Sequence, residues 1–167
     1  MMLPLVAMQF SEEVNWDGAD FAIAGVLLFG TGLAYQLLAR RMASIAYRAA
    51  LGVALAAALL LVWVNGAVGI IGSERNDANL MYAGVLAAGV VGAIISRFQP
   101  RGMARALFAM ALAQASVAAV GLIAGFGSPE SGPLEIMALN GVFVALFLGS
   151  ALLFRKAEQG SSERGAV

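Results

Sequence analysis

Five apolar runs of about twenty residues, joined by short polar loops, constrain this chain more than anything else in it. They cover residues 20–39, 47–71, 78–96, 103–126 and 134–154. A bilayer core takes roughly 20 helical residues to cross. Membrane β-strands are about half that length and alternate in polarity. These runs do not alternate, so they predict helices. The joining loops, such as GSERND at 72–77 and GFGSPESGP at 125–133, are rich in turn formers. Composition agrees: 61% of the 167 residues are hydrophobic, only 12% are charged, and the mean hydropathy is +0.87. Soluble domains carry about 25% charged residues, and a chain this short has no soluble core large enough to hide so much apolar surface. The expected fold is all-α, a polytopic bundle of five transmembrane helices.

The net charge of zero hides a segregation. Nine of the ten basic residues fall at one end of the expected helices: Arg40, Arg41 and Arg48; Arg97, Arg101 and Arg105; Arg155, Lys156 and Arg164. Arg75 alone lies at the other end. Eight of the ten acids share that end with it: Glu12, Glu13, Asp17, Asp20, Glu74, Asp77, Glu130 and Glu135. Basic loops stay in the cytoplasm, so the N-terminus is expected outside and the C-terminus inside. Arg48 and Arg105 then stand near helix N-termini, where the helix dipole favours acids. That penalty is under about 1 kcal/mol at an exposed end, and topology outweighs it.

Residues 1–19 have no basic stretch before their apolar part, so they lack the pattern of a secretory signal. They are expected to lie at the outer interface, with Leu3, Leu5, Val6 and Phe10 on lipid. The polar tail at 157–167 is expected to be flexible and cytoplasmic. Trp16, Trp63 and Tyr82 toward one side and Tyr35 and Tyr47 toward the other suggest interfacial aromatic belts.

Small residues recur at helical spacing. Gly84, Ala88, Gly92 and Ser96 share a face of the third helix, Gly121 and Gly125 form a GxxxG in the fourth, and Gly141, Ala145 and Gly149 repeat the pattern in the fifth. In lipid, such stripes let backbones approach closely. Packing within the chain is the simpler use for them, and packing between chains is the other. AVGIIG at 67–72 resembles AVGLIAG at 119–125, and NLMYAGV at 79–85 resembles EIMALNGV at 135–142. These matches suggest a duplication of helices two and three as four and five, as in some transporters.

Chemistry is tightly bounded. With neither cysteine nor histidine, the chain has no thiolate or imidazole ligand, no disulfide, no Cys nucleophile and no His base. No phosphate loop, dinucleotide motif or HExxH occurs. No catalytic residue, metal, cofactor or nucleic-acid partner is implied, and an enzyme is the least favoured class. The stretch from Trp63 to Tyr82 is the least generic, with Asn65 in an apolar run, glycines at 66, 69 and 72, and a charged tip. Asn65 lies about 9 Å inside the outer end of its helix at 1.5 Å per residue, and Asn140 lies at similar depth. Together with Asp20, Asn79 and Glu135, and with Gln114 near the midplane, they are expected to outline a polar vestibule open to the outside; Ser116 lies near Gln114. Carboxylate and amide oxygens suit hard cations or protons. The competing reading is structural: membrane Asn and Gln commonly bond across helices at about 0.6–2 kcal/mol each, and Asp20, Asn76, Asp77 and Asn79 suit helix starts.

The segments NLMYAGV, RFQPRGMARAL and VGIIGSE resemble those of small polytopic inner-membrane proteins of bacteria whose function is unassigned. The likeness covers most of residues 14–156. It implies a bacterial cytoplasmic membrane and assigns no site. The function expected from these residues is a non-enzymatic structural or accessory component that self-associates or packs against a partner membrane protein. The alternative is a small transporter or channel for a cation or polar solute.

Overall fold

A computed structural model of the chain describes residues 18–40, 44–73, 75–129 and 131–164, the last four as backbone alone. The expectations for residues 1–17, Arg41, Glu74 and Glu130 lie outside these. Among the described residues the structure is helical with no strand. Five helices among these residues are long and apolar enough to cross a membrane. They are α1 (Gly18–Ala39), α2 (Ile45–Ala67), α3 (Met81–Ile95, preceded by a 3-10 turn at Asp77–Leu80), α4 (Pro100–Ile123) and α5 (Pro133–Arg164).

The local sequence explains the ends. Ser44 caps α2 by accepting from the Tyr47 N–H, and Asn76 caps the 3-10 turn by accepting from Ala78. Pro100 opens α4 at a position where its missing N–H costs nothing. Two helices stop earlier than their hydrophobicity suggests. α2 ends at Ala67 rather than residue 71, because Gly69 (φ 79°) turns the chain left-handed and donates back to Val64 O. α4 ends at Ile123 rather than 126. Gly125 (φ 68°) donates to Leu122 O and Phe126 donates to Gly121 O, which is the paired bonding of a glycine C-cap. Gly125 is therefore a helix terminator and not half of a packing pair. In contrast, α5 runs ten residues past 154, to Arg164, over residues 157–164 of the segment expected to be a flexible tail; residues 165–167 lie outside the described residues. Ala157 is buried there, and Glu158 lies 3.7 Å from Arg101.

The helices do not pack in chain order. α5 lies along both α4 and α2, α3 packs on α4, and α1 packs on α2, with little contact between α2 and α3. The spatial order is α1–α2–α5–α4–α3. The core between these layers is built from Leu51, Leu61, Leu107, Phe143, Phe147 and Phe154 with many alanines. Tyr47 and Tyr82 belong to this core and not to an interfacial belt. Tyr47 donates to Phe98 O at 2.9 Å and meets the Phe154 ring edge-on at 5.0 Å. Ser150 Oγ donates to Ala50 O at 2.7 Å and ties α5 to α2.

The small-residue stripes divide. A Cβ on Gly92 would fall 2.5 Å from Ala106 Cβ, and one on Gly121 would fall 2.9 Å from Ile71, so both glycines serve contacts within the chain. Ser96 is met by Gly102 in the same way, and Ala88 is half-buried. Gly84, Gly141 and Gly149 have open space where a side chain would be, and Gly84, Gly141 and Ala145 are exposed. The suggested duplication is not matched in conformation. Residues 68–72 form a loop, whereas their counterparts at 120–123 are helical, and Val85 is buried where its counterpart Val142 is exposed.

Candidate functional site

The polar residues expected to form a vestibule are explained first by the path of the chain between α2 and α3. Since these helices barely touch, residues 68–73 and 75–76 of the connection cross the ends of α4 and α5. Ile71 packs on Gly121, Gly72 exchanges hydrogen bonds with the Ser131 hydroxyl (3.1 and 3.3 Å), and the Asn76 amide donates to Phe126 O at 2.7 Å. Ile70 and Ile71 are fully buried. Their backbone groups are out of reach of water, and a buried unpaired N–H is costly.

Asn79 supplies the partners. Its Oδ1 accepts from the N–H groups of Ile70 (3.1 Å) and Ile71 (3.0 Å), and its Nδ2 donates to Ile71 O (3.2 Å) and Ser73 O (2.7 Å). A carboxamide has two donors and an oxygen with two lone pairs, so all its capacity is used. Asn65 adds a bond from its Nδ2 to Asn79 O at 3.2 Å, while Asn65 Oδ1 is buried without a partner.

One turn along α3, Tyr82 begins a second network. Its hydroxyl donates to Asn140 Oδ1 at 2.9 Å, and Gln114 Nε2 donates to the same oxygen at 2.9 Å. Asn140 Nδ2 donates back to Ile136 O at 2.8 Å. This network bonds α3, α4 and α5 in their interior. Gln114 Oε1 is buried and unpartnered. Ser116 stands apart, exposed and bonded to Leu112 O.

The carboxylates are elsewhere. Asp20 is exposed and lines a 400 Å³ cleft between α1 and α2 with Trp63 and Gly66. Glu135 is exposed in the first turn of α5. The four amides are thus gathered into two bonded networks that include neither acid. Among the described residues, no three of Asp, Glu, His or Cys gather at metal-binding distance. What the networks demonstrably do is hold the loop cap and three helices together.

Two further concavities lie toward the arginine-rich end. An apolar cleft of 390 Å³ occupies the gap between α1–α2 and α3–α4, with Leu38, Leu55, Val90, Phe98 and Met110 among its walls. A pocket of 460 Å³ between α4 and α5 gathers Arg101, Arg105, Arg155 and Glu158 over Ala104 and Phe108.

No protein-family model, curated protein or solved structure was found to match this chain.

Tyr82 and Ser131 in the networks, and Ser150 in its separate bond to Ala50 O, are bonding residues that the sequence marks unequally. Ser150 carried a signal, as a lone hydroxyl between apolar residues deep in the fifth run. Tyr82 and Ser131 carried none, because a tyrosine near a helix end and a serine in a loop are commonplace.

Proposed function

We propose that this chain is a multi-pass protein of a bacterial cytoplasmic membrane, with its N-terminus outside, and that it is a non-enzymatic component that self-associates through α5. The observation carrying this reading is the outward face of α5. Phe143, Phe147, Ser150 and Phe154 point into the bundle. At 100° per residue, Gly141, Ala145 and Gly149 lie on the opposite side, with Ala138, and among the described residues nothing lies within 4 Å of where a side chain on Gly141 or Gly149 would begin. In lipid an uncovered small-residue stripe offers little van der Waals contact until another backbone lies against it. The orientation rests on the arginines. Tyr47–Phe98 and Arg101–Glu158 contacts join the basic segments at one end, whereas Gly72–Ser131 and Asn76–Phe126 contacts join the loops of the other.

The chain has no cysteine, so single-cysteine variants report contacts without background. Ala145→Cys and Gly141→Cys are expected to give a disulfide-linked dimer in membranes, and Leu112→Cys, which is exposed on α4, is not. Monomers at both α5 positions, or equal linking at Leu112, would remove the basis for self-association.

A second reading, passage of a small polar solute, is favoured by the two unpartnered buried oxygens of Asn65 and Gln114. It requires liposome flux that falls on combining Asn65→Leu with Glu135→Ala. Undiminished flux in that variant counts against it.

A further inference from the structure

We infer that the pocket between α4 and α5 at the arginine-rich end is a binding site for one anionic phospholipid, whose phosphate is held by Arg105 and Arg155. It rests on the proposed function only for the placement of the chain in a membrane with its basic end in the cytoplasm. Whether α5 self-associates does not enter the argument.

The geometry comes from two helices in their most extensive contact. Arg101, Arg105 and Phe108 follow one another at i, i+4 and i+7 and so share a face of α4. Arg155 and Glu158, at i and i+3, share a face of α5. All five line the same 460 Å³ pocket. Three guanidinium groups face one carboxylate there, which leaves two positive charges in excess. Glu158 is placed by the helical extension of α5 and engages Arg101 at 3.7 Å. The N-terminus of α4, opened by Pro100, adds its partial positive charge at the same end. Arginines beside a positive helix end repel it and one another, and an anion between them offsets that repulsion. Guanidinium groups match phosphate oxygens in bidentate geometry.

The depth argues for a lipid as the source of that phosphate. α5 has 32 residues, a length of about 48 Å against a hydrocarbon core of about 30 Å. Counted from Pro133, its residues near 155–158 emerge at headgroup level. Phe108 lies one turn deeper than Arg105 and is 36% exposed. The pocket is therefore charged where a headgroup sits and apolar where its acyl chains begin. Basic pockets between membrane helices on the cytoplasmic side are suited to such headgroups.

The test is native mass spectrometry of the full chain in mild detergent, titrated in parallel with phosphatidylglycerol and phosphatidylcholine. The expected result is a preference for phosphatidylglycerol of at least about 10-fold, read on whichever oligomer is present. Arg105→Gln with Arg155→Gln is expected to bring the preference below about 2-fold, and Arg40→Gln with Arg48→Gln, at the same end but outside the pocket, to leave it intact. Glu158→Gln removes the opposing carboxylate and is expected to raise the preference, an effect misfolding does not produce. The proposal is overturned if the pocket pair keeps the preference, if the control pair loses it equally, or if Glu158→Gln weakens it. Displacement of the lipid by millimolar inorganic phosphate also overturns it, because the site would then belong to a soluble phosphate.

Discussion

Replacing Asn79 by leucine tests whether one carboxamide holds the cap over the bundle. The substitution keeps roughly the side-chain volume and removes four hydrogen bonds to the 70–73 backbone. Two limits bracket the cost. If the unfolded chain in the membrane finds substitute partners, each bond is worth about 0.6 kcal/mol, and the total is near 2 kcal/mol. If the Ile70 and Ile71 N–H groups stay buried and unpaired, each costs about 1–3 kcal/mol, and the loss reaches about 2–6 kcal/mol. Ile70 and Ile71 are fully buried, which favours the second limit. Asn79→Asp separates the two halves of the anchor. It keeps an acceptor for both N–H groups but sets a carboxylate oxygen against the carbonyls of Ile71 and Ser73, so it should fall between wild type and the leucine variant. Equilibrium unfolding in mixed SDS micelles, followed by far-ultraviolet circular dichroism, measures the differences. An Asn79→Leu protein within about 0.5 kcal/mol of wild type, in the range of an ordinary surface substitution, would refute the idea that burial of this loop depends on Asn79.

The same unfolding assay checks two paired predictions. Asn140→Leu strands the Tyr82 hydroxyl and the Gln114 amide in the interior and should cost about 2–6 kcal/mol, whereas Gln114→Leu loses one bond together with an already unpartnered oxygen and should stay within about 1 kcal/mol. Gly92→Ala drives a methyl to 2.5 Å from Ala106 Cβ and should destabilise by about 1–3 kcal/mol, while Gly84→Ala meets nothing within 4 Å and should be neutral or stabilising by up to about 1 kcal/mol.

The helical architecture was legible because a twenty-residue apolar run has few other ways to satisfy its backbone in lipid. The ends were less legible. Hydropathy continues smoothly through Val68, Ile70 and Ile71, yet the helix stops at Ala67 because Gly69 and Gly72 adopt positive φ (79° and 70°). At the far end of α5 the composition turns polar after Phe154, but the helix continues to Arg164, with Ala157 buried and Glu158 beside Arg101. The amides themselves were found from sequence. Their grouping was not, because it depends on which helices are neighbours, and the order α1–α2–α5–α4–α3 leaves no periodic mark. Gly84, Ala88 and Gly92 look alike in a stripe, but only contact with α4 distinguishes Gly92.

That spatial order also accounts for why polar side chains occur in these helices at all. A chain that placed α3 beside α2 would join them by a short exposed turn, and its backbone would be solvated by water. Placing α5 between α2 and α4 forces the connection across the bundle end, where Ile70 and Ile71 seal the top of the core against Gly121. The buried loop then needs polar partners, which Asn79 and Ser131 provide. Tyr82, Gln114 and Asn140 fix the α3–α4–α5 side on which the loop lands. The amides near this end of the bundle are thus required by topology before any ligand is considered. Two surfaces lie outside this scheme, the outward stripe of α5 and the arginine pocket between α4 and α5. Gly141, Ala145, Arg105 and Arg155 are exposed, so substitutions there should leave stability nearly unchanged while altering association or lipid retention. Substitutions of Asn79 and Asn140 should do the reverse.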